Sequence, residues 1–541
     1  MTHRCLIKLI STVLLAAFIS PAGLAERPRG DAPADAEIGT VDFRVSCDQT
    51  ARADFDRALG YLHHMMYEQA RSEFEAIAQA DPECSMAHWG IATTLFQPIW
   101  PTRPDLATLE RGWQAIQQAS DLGPATEREQ LLIDATAGFF REPETAEYWE
   151  RINRWAEGMA VAYAANPDDL DTAALYALSR LALAPAAEDR DPLHDEAEEI
   201  LREAWEEQPT HPGAIHYTIH ATDADGRAEN ALDIVQEYGK IAPQVPHALH
   251  MPTHIYVRLG DWPEVIDWNA RSADAALGNL VNGGISHHYI HAIDYLLYAY
   301  LQQGEDDKAL AVFEAAMDKD RHQASFISTF HLAAMAARLA VEQRDWDSAI
   351  ALEPGMPDYL PWETTFWPLG LTWFARGLGG VHMDNLELAR AAEGQLEALR
   401  EQAEAAGEAL FATYIEVDRQ ILAGWIAQAE GDAETAVQLM RSAAELEGTV
   451  EKHPVTPGAL LPPDEALGDL LIDIGRPVEA LAAYQRSDDI WPGRFNTLLG
   501  AARAANEADD AATARQYYSQ LLAIAGDSER AGVIEARRFL E

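Results

Sequence analysis

Apolar residues recur along most of the chain with the period of a helix, and the helices they predict come in pairs. The first clear pair is ALGYLHHMMYEQARSEFEAIAQADP, with small Ala58, aromatic Tyr67, then Ala70, Phe74 and a closing Pro82. The same order of marks returns downstream. EILREAWEEQP closes at Pro209, Gly226 to Pro243 closes the next pair, and Gly260-Asp261-Trp262 marks a third. Gly304 with Ala309, Phe313 and Ala316, then Trp346 with Ala349, then Trp373 with Gly377 continue the series. Gly424, Gly431 and Ala436, then Gly468, Gly475, Ala480 and Tyr484, and lastly Ala514 and Tyr518 complete it. About ten helix pairs result, with departures from the period over Gln97 to Ala165 and Asn279 to Ser286.

The period is sharpest where histidines crowd. From His211 to Asp294 the segments HPGAIHYTIHATD, HALHMPTHIYVRLGD and SHHYIHAIDYLLYAY hold nine of the chain's eighteen histidines. His216 and His220 are echoed by His250 and His254, and both differences, 250−216 and 254−220, equal 34. That is the length of one helix–turn–helix repeat unit. The histidines are therefore written once per repeat, on one face of a stack.

These marks resemble the tetratricopeptide repeat family. There a small residue stands at position 8, Gly at 15, an aromatic at 17, Ala at 20, a large residue at 24 and Pro near 32, because the two helices cross closely at 8 and 20. The resemblance covers most of the chain and implies an all-α, right-handed superhelical solenoid of antiparallel helix pairs over 46–541, with the histidine-rich repeats at about 211–335. A phrase near the end, EKHPVTPGALLPPDEALGDLLIDIGRPVEALAAYQRS, together with the histidine segments, resembles secreted bacterial tetratricopeptide proteins of unassigned function. In the family the first helix of each pair lines the concave groove through positions 2, 5, 9, 12 and 13. Counted back from Gly226, His216 is position 5, His220 is 9 and Asp223 is 12; from Gly260, His247 is 2, His250 is 5 and His254 is 9. From Gly304, His291 is 2, Asp294 is 5 and Tyr298 is 9, and from Arg344, His331 is 2. All are groove positions.

Composition bounds what such an array can meet. Hydrophobic residues are 48%, enough for a continuous core, and 40 Lys plus Arg against 88 Asp plus Glu give a formal charge of −48 spread along the chain. Nucleic acid is excluded as a partner, since phosphate binding needs clustered positive charge. At the N-terminus Arg4 and Lys8 flank an apolar run from Leu9 to Ile19 that ends in Gly23-Leu24-Ala25, the pattern of a secretory signal over 1–25 cleaved near Ala25. The run is shorter than the roughly 20 residues of a bilayer span. A periplasmic or secreted location and no membrane span in the mature chain are expected. Residues 26–45, with Pro28, Gly30, Pro33 and Gly39, read as a flexible leader. Of three cysteines Cys5 falls in the signal, leaving Cys47 and Cys84 at the same end of the first antiparallel pair, where a disulfide is expected.

An i, i+4 histidine pair presents both imidazoles on one helical face, where they can chelate one metal ion. The expected metal ligands are His216, His220, His247, His250, His254 and His291, with Asp223, Asp294 and His331 in supporting positions and Asp294 or Tyr298 able to complete the shell. Imidazole donors without thiolates suit zinc, copper or iron. Two other readings stay open: hydrogen-bonded core histidines, or a histidine-lined site for a peptide or organic ligand. Pro252 falls inside the second histidine segment and could start that helix late, loosening the pairing of His247 and His250 with His254. His287 and His288 read as loop residues, and His63, His64 and His88 as packing or surface residues far along the stack. Trp362, Trp367 and Trp373 read as core. HExxH, GxxxxGK, GxGxxG and GxSxG motifs are absent, so catalysis stays undecided and no catalytic residue is assigned. The alternative function is a non-catalytic scaffold holding a protein or peptide partner in the groove.

Overall fold

The computed structural model describes residues 37–319 and 321–541. The expected signal peptide and residues 26–36 of the expected leader lie outside the described residues. Helix follows helix, in hairpin pairs, from Arg52–His63 with Tyr67–Ala80 to Phe495–Glu507 with Ala511–Ala525, and a last helix Ala531–Leu540 closes the chain. Among the described residues β-structure is limited to two isolated bridges, Val281 with Gly284 and Ile285 with His322, in the irregular loop before the helix His287–Gln302.

One turn builds most of these pairs. The first helix ends on a residue in the left-handed region, and the next N–H reaches back to the carbonyl five residues earlier: Asp261 to Tyr256 at 2.9 Å, Glu305 to Tyr300 at 2.9 Å, Asp432 to Ala427 at 2.9 Å. The left-handed residue is Gly260, Gly304 or Gly431 in these turns, and Arg344 or Asp384 in others. Small residues then let helices touch. Tyr484 lies between Gly468 and Gly500, where a Cβ would stand 2.7 Å and 2.3 Å from its ring.

Burial separates the two kinds of helix. Second helices such as Asp191–Glu207 and Trp262–Leu277 bury one face, whereas first helices such as His287–Gln302 and Phe326–Glu342 are buried almost all round. Their inner face is therefore not an open groove. The loop carrying Trp100 and the loop from Thr449 to Pro462 lie over it, the second fixed by Arg338, whose guanidinium donates to the Thr456 hydroxyl at 2.7 Å and the Gly458 carbonyl at 2.8 Å.

Two expectations need correction, and one departure from the period finds its cause. Residues 37–45 pack: Phe43 is fully buried against Phe55 and Trp89, and the Gly39 N–H donates to the Ile241 carbonyl at 2.9 Å. The low apolar content of the leader as a whole hid this apolar end. Between 97 and 165 the pairing continues with Leu106–Leu122, Glu127–Phe140 and Tyr148–Ala165; the period fails there because the connection from 94 to 105 is long, and that connection carries Trp100 to the histidines. His287 and His288 open the helix His287–Gln302 and are packed on Trp100, with ring centroids at 5.3 and 5.8 Å. Cys47 and Cys84 are joined in a disulfide with Cα atoms 4.8 Å apart.

Candidate metal centre

His216 and His220 lie on the helix Pro212–Thr222, and His291 on His287–Gln302. Between them Pro252 divides the second histidine segment into Pro246–His250 and Pro252–Leu259. The division does not separate the pair, since the Nε2 atoms of His250 and His254 stand 3.1 Å apart across it. One ring nitrogen from each of His250, His254 and His291 lies within 4.8 Å of the other two, and all three residues are buried.

The state of each ring follows from what holds its other nitrogen. Asn269 donates its amide to the Val265 carbonyl at 2.8 Å, so its oxygen faces His250 Nδ1 at 2.7 Å and accepts that N–H. The His254 Nδ1–H donates to Asp223 at 2.9 Å. Burial would raise the Asp223 carboxyl, but Lys452 at 3.0 Å and Arg258 at 2.9 Å hold it well below its ordinary range as an anion. Asp294 accepts from His331 Nδ1 at 2.9 Å and from Arg338 Nε at 3.2 Å, and His331 Nε2 in turn accepts the His291 Nδ1–H at 2.8 Å. Burial lowers the pKa of all three inner rings, well below 6.5 for His250 and His291, so they are neutral at pH 7. Each Nε2 is then a bare lone pair. Two lone pairs 3.1 Å apart repel unless a cation lies between them. Nitrogens bound to one ion at about 2.0–2.1 Å stand roughly 2.9–3.4 Å from each other at octahedral to tetrahedral angles.

Of the residues expected to support the ligands, Asp223 accepts from His254, and Asp294 accepts from His331, which accepts from His291. Tyr298 does not join them. Its hydroxyl accepts from Arg494 at 2.8 Å and its ring packs on Trp262, away from the histidines. His216 and His247 stand beside the three-histidine group, their ring centroids 4.9 Å apart. His220 lines, with His247, His254 and His291, a small cavity closed by Trp100 and His453. That cavity offers about 20 Å³ to the centre of a water-sized sphere, room for a water or an ion. A larger cavity shares His220, Trp100 and His453 with it and continues past Arg103, Tyr148 and Arg190.

Reading the sequence missed several members. His64 follows the first helix yet reaches the centre, and His63 beside it joins a neighbouring group with His211 and Asp171. The His64 carbonyl accepts the His247 Nδ1–H at 2.9 Å, and His63 packs on His211 at 5.2 Å, because the helix Arg52–His63 returns against Pro212–Thr222. His88 is half-buried and apart from this group. Lys452 and His453 come from the phrase EKHPVTPGALLPP; its prolines and glycine already marked it as non-helical, the one local sign of a covering loop. Trp367 packs on Phe330 and Tyr414, with His453 behind it.

No family model matches the chain's sequence, and no curated protein matches it. Among solved structures, yeast Tom70 is similar at 12% identity and a TM-score of 0.29, over 91% of this chain and 95% of that one. A tetratricopeptide repeat protein from Parabacteroides merdae is similar at 11% and 0.27, over 55% and 97%. Human IFIT1 is similar at 12% and 0.35, over 81% and 90%. Scores of this size leave the fold resting on the chain's own helix pairs, left-handed turns and small-residue contacts, and by these it is a solenoid of tetratricopeptide type.

Proposed function

We propose that the chain holds a transition metal ion on His250, His254 and His291. The observation that carries this reading is the pair of bare Nε2 lone pairs at 3.1 Å, each fixed by a hydrogen bond on the far side of its ring. Metal-binding imidazoles are held this way, the outer N–H given to a carboxylate or carbonyl. All-nitrogen donors favour zinc, copper or iron over calcium or magnesium. Three protein ligands leave a position toward the small cavity, the arrangement in which a bound ion can activate water. Placement in an exported compartment belongs to the same proposal; it rests on the N-terminal sequence, and the Cys47–Cys84 bond fits an oxidising environment.

The alternative, a scaffold for a protein or peptide partner, also fits an array of helix pairs of this type, and among the described residues the chain's own loops cover the inner face only where the histidines lie. Elemental analysis of protein purified without a histidine tag tests the metal reading. Wild-type protein from metal-replete cells is expected to retain zinc, copper or iron, and the His250→Ala/His291→Ala variant to lose the ion of this site with its helical circular dichroism unchanged. Metal-free wild type, or a double variant with undiminished content, overturns it.

A further inference from the structure

We infer that a second metal ion binds beside the first, on His216, His220 and His247, so that the centre is dinuclear; this rests on the three-histidine reading above. A chain of hydrogen bonds fixes the rings of His216 and His247 as well. His64 Nε2 lies 3.0 Å from the Ile38 carbonyl and must carry the proton there, so His64 Nδ1 accepts from the Tyr238 hydroxyl at 2.8 Å. The Tyr238 oxygen is then left to accept the His216 Nδ1–H at 3.0 Å, and His216 Nε2 is a bare lone pair, buried and without a partner. His247 gives its Nδ1–H to the His64 carbonyl, which leaves its Nε2 bare too. His220 has no partner on either ring nitrogen, and both are buried.

Two of the three ring spacings resemble those of the first group, while His220 and His247 do not pack ring on ring and meet at the small cavity that both line. His216 stands 4.9 Å from His247 and 5.2 Å from His220, against 4.9 Å for His250 to His254 and 4.1 Å for His250 to His291. The two groups adjoin, with His220 at 5.7 Å from His254 and His247 at 6.0 Å from His250. Two-metal sites hold their ions about 3.5–4 Å apart, and rings this close bring both ions to the same cavity.

Another histidine group, His63 and His211 with Asp171, brings its donor atoms as close together as the first group does but leaves none of them without a partner. His63 and His211 both donate to Asp171, at 2.9 and 3.2 Å, and their other nitrogens accept from the Tyr217 hydroxyl and the Ala214 N–H. Every ring nitrogen there has a partner. The buried, unpartnered nitrogens of His216 and His220 are a different chemistry, since an unpartnered buried polar group destabilises a protein that has no use for it.

His220 makes no hydrogen bond, so His220→Ala is the variant least apt to disturb folding. Full-length protein stripped with a chelator, reloaded with Zn(II) and passed through gel filtration is expected to hold two equivalents, and His220→Ala one. Reloaded with Cu(II), the wild type is expected to give an electron paramagnetic resonance signal broadened or silenced by coupling, and His220→Ala an isolated-ion signal. Wild type holding one equivalent, or His220→Ala keeping two, overturns the second site and leaves the first. Wild type holding none overturns both.

Discussion

Asn269 shows how one side chain sets the chemistry of another. Its amide is committed to Val265, so only its oxygen can face His250, and that choice sends the imidazole's lone pair inward. Asn269→Leu removes the acceptor and frees His250 to take the other tautomer, in which Nε2–H donates to His254 and closes the site. A loss of metal affinity of about 10–100-fold is expected, the usual effect of removing such a partner, measured by competition with a chromophoric chelator. Unchanged affinity would show that the tautomer is not set by Asn269. At this scale the sequence was legible in part. The 34-residue echo placed His216, His220, His250 and His254 on one face, and the register added Asp223, Asp294 and His331 in supporting roles. Asn269 escaped notice because it sits on a second helix, whose side chains the groove register does not count. His453 and Trp100 escaped because they arrive on loops far away in the chain.

Among the elements, the first helix pair is where a local bond bears on the centre. Cys47 and Cys84 close a loop of sequence separation 37 around Arg52–His63 and Tyr67–Ala80. The loop-entropy contribution of such a bond is about 3–4 kcal/mol. That pair also supplies the His64 carbonyl to His247 and the His64 ring to Tyr238, so its stability extends to the histidines. Cys47→Ser/Cys84→Ser is expected to lower the Tm and to raise amide exchange first in Arg52–His63, well before Pro463–Asp473. Uniform exchange along the array would refute this ordering. The helix pairs and the cysteine pairing were legible directly, because both follow from the pattern of one repeat. Residues 37–45 and the connection from 94 to 105 were not, because they are held by contacts with distant helices and not by a pattern of their own.

Taken whole, the array does not behave as a row of units that touch only their neighbours. Its C-terminal pairs return to the middle: Trp262 donates to the Gly493 carbonyl at 2.8 Å, Gly260 and Gly493 meet backbone to backbone, and Phe495 N–H donates to Gln302 at 2.8 Å. Arg494 is the hub of this return. It is buried, ion-paired with Glu342 and Glu465 at 2.9 Å each, and donates to the Tyr298 hydroxyl at 2.8 Å. No local period foretells such a contact, since its partners lie on three separate repeats. Arg494→Met keeps much of the volume but leaves buried Glu342 without its cation and Glu465 with Arg344 alone, and breaking a buried pair typically costs about 3–5 kcal/mol. In a simple stack the loss would stay with the last repeats and the histidines would not sense it. In this closed array the covering loop from Thr449 to Pro462 is held between the middle repeats and the returning pairs, so the variant is expected to lose bound metal in parallel with its unfolding at the C-terminal end. Metal release and helix loss followed together during thermal unfolding decide between the two. Full metal retention through the unfolding of Phe495–Leu540 would show that the ends are independent and that the return contact leaves the centre unaffected.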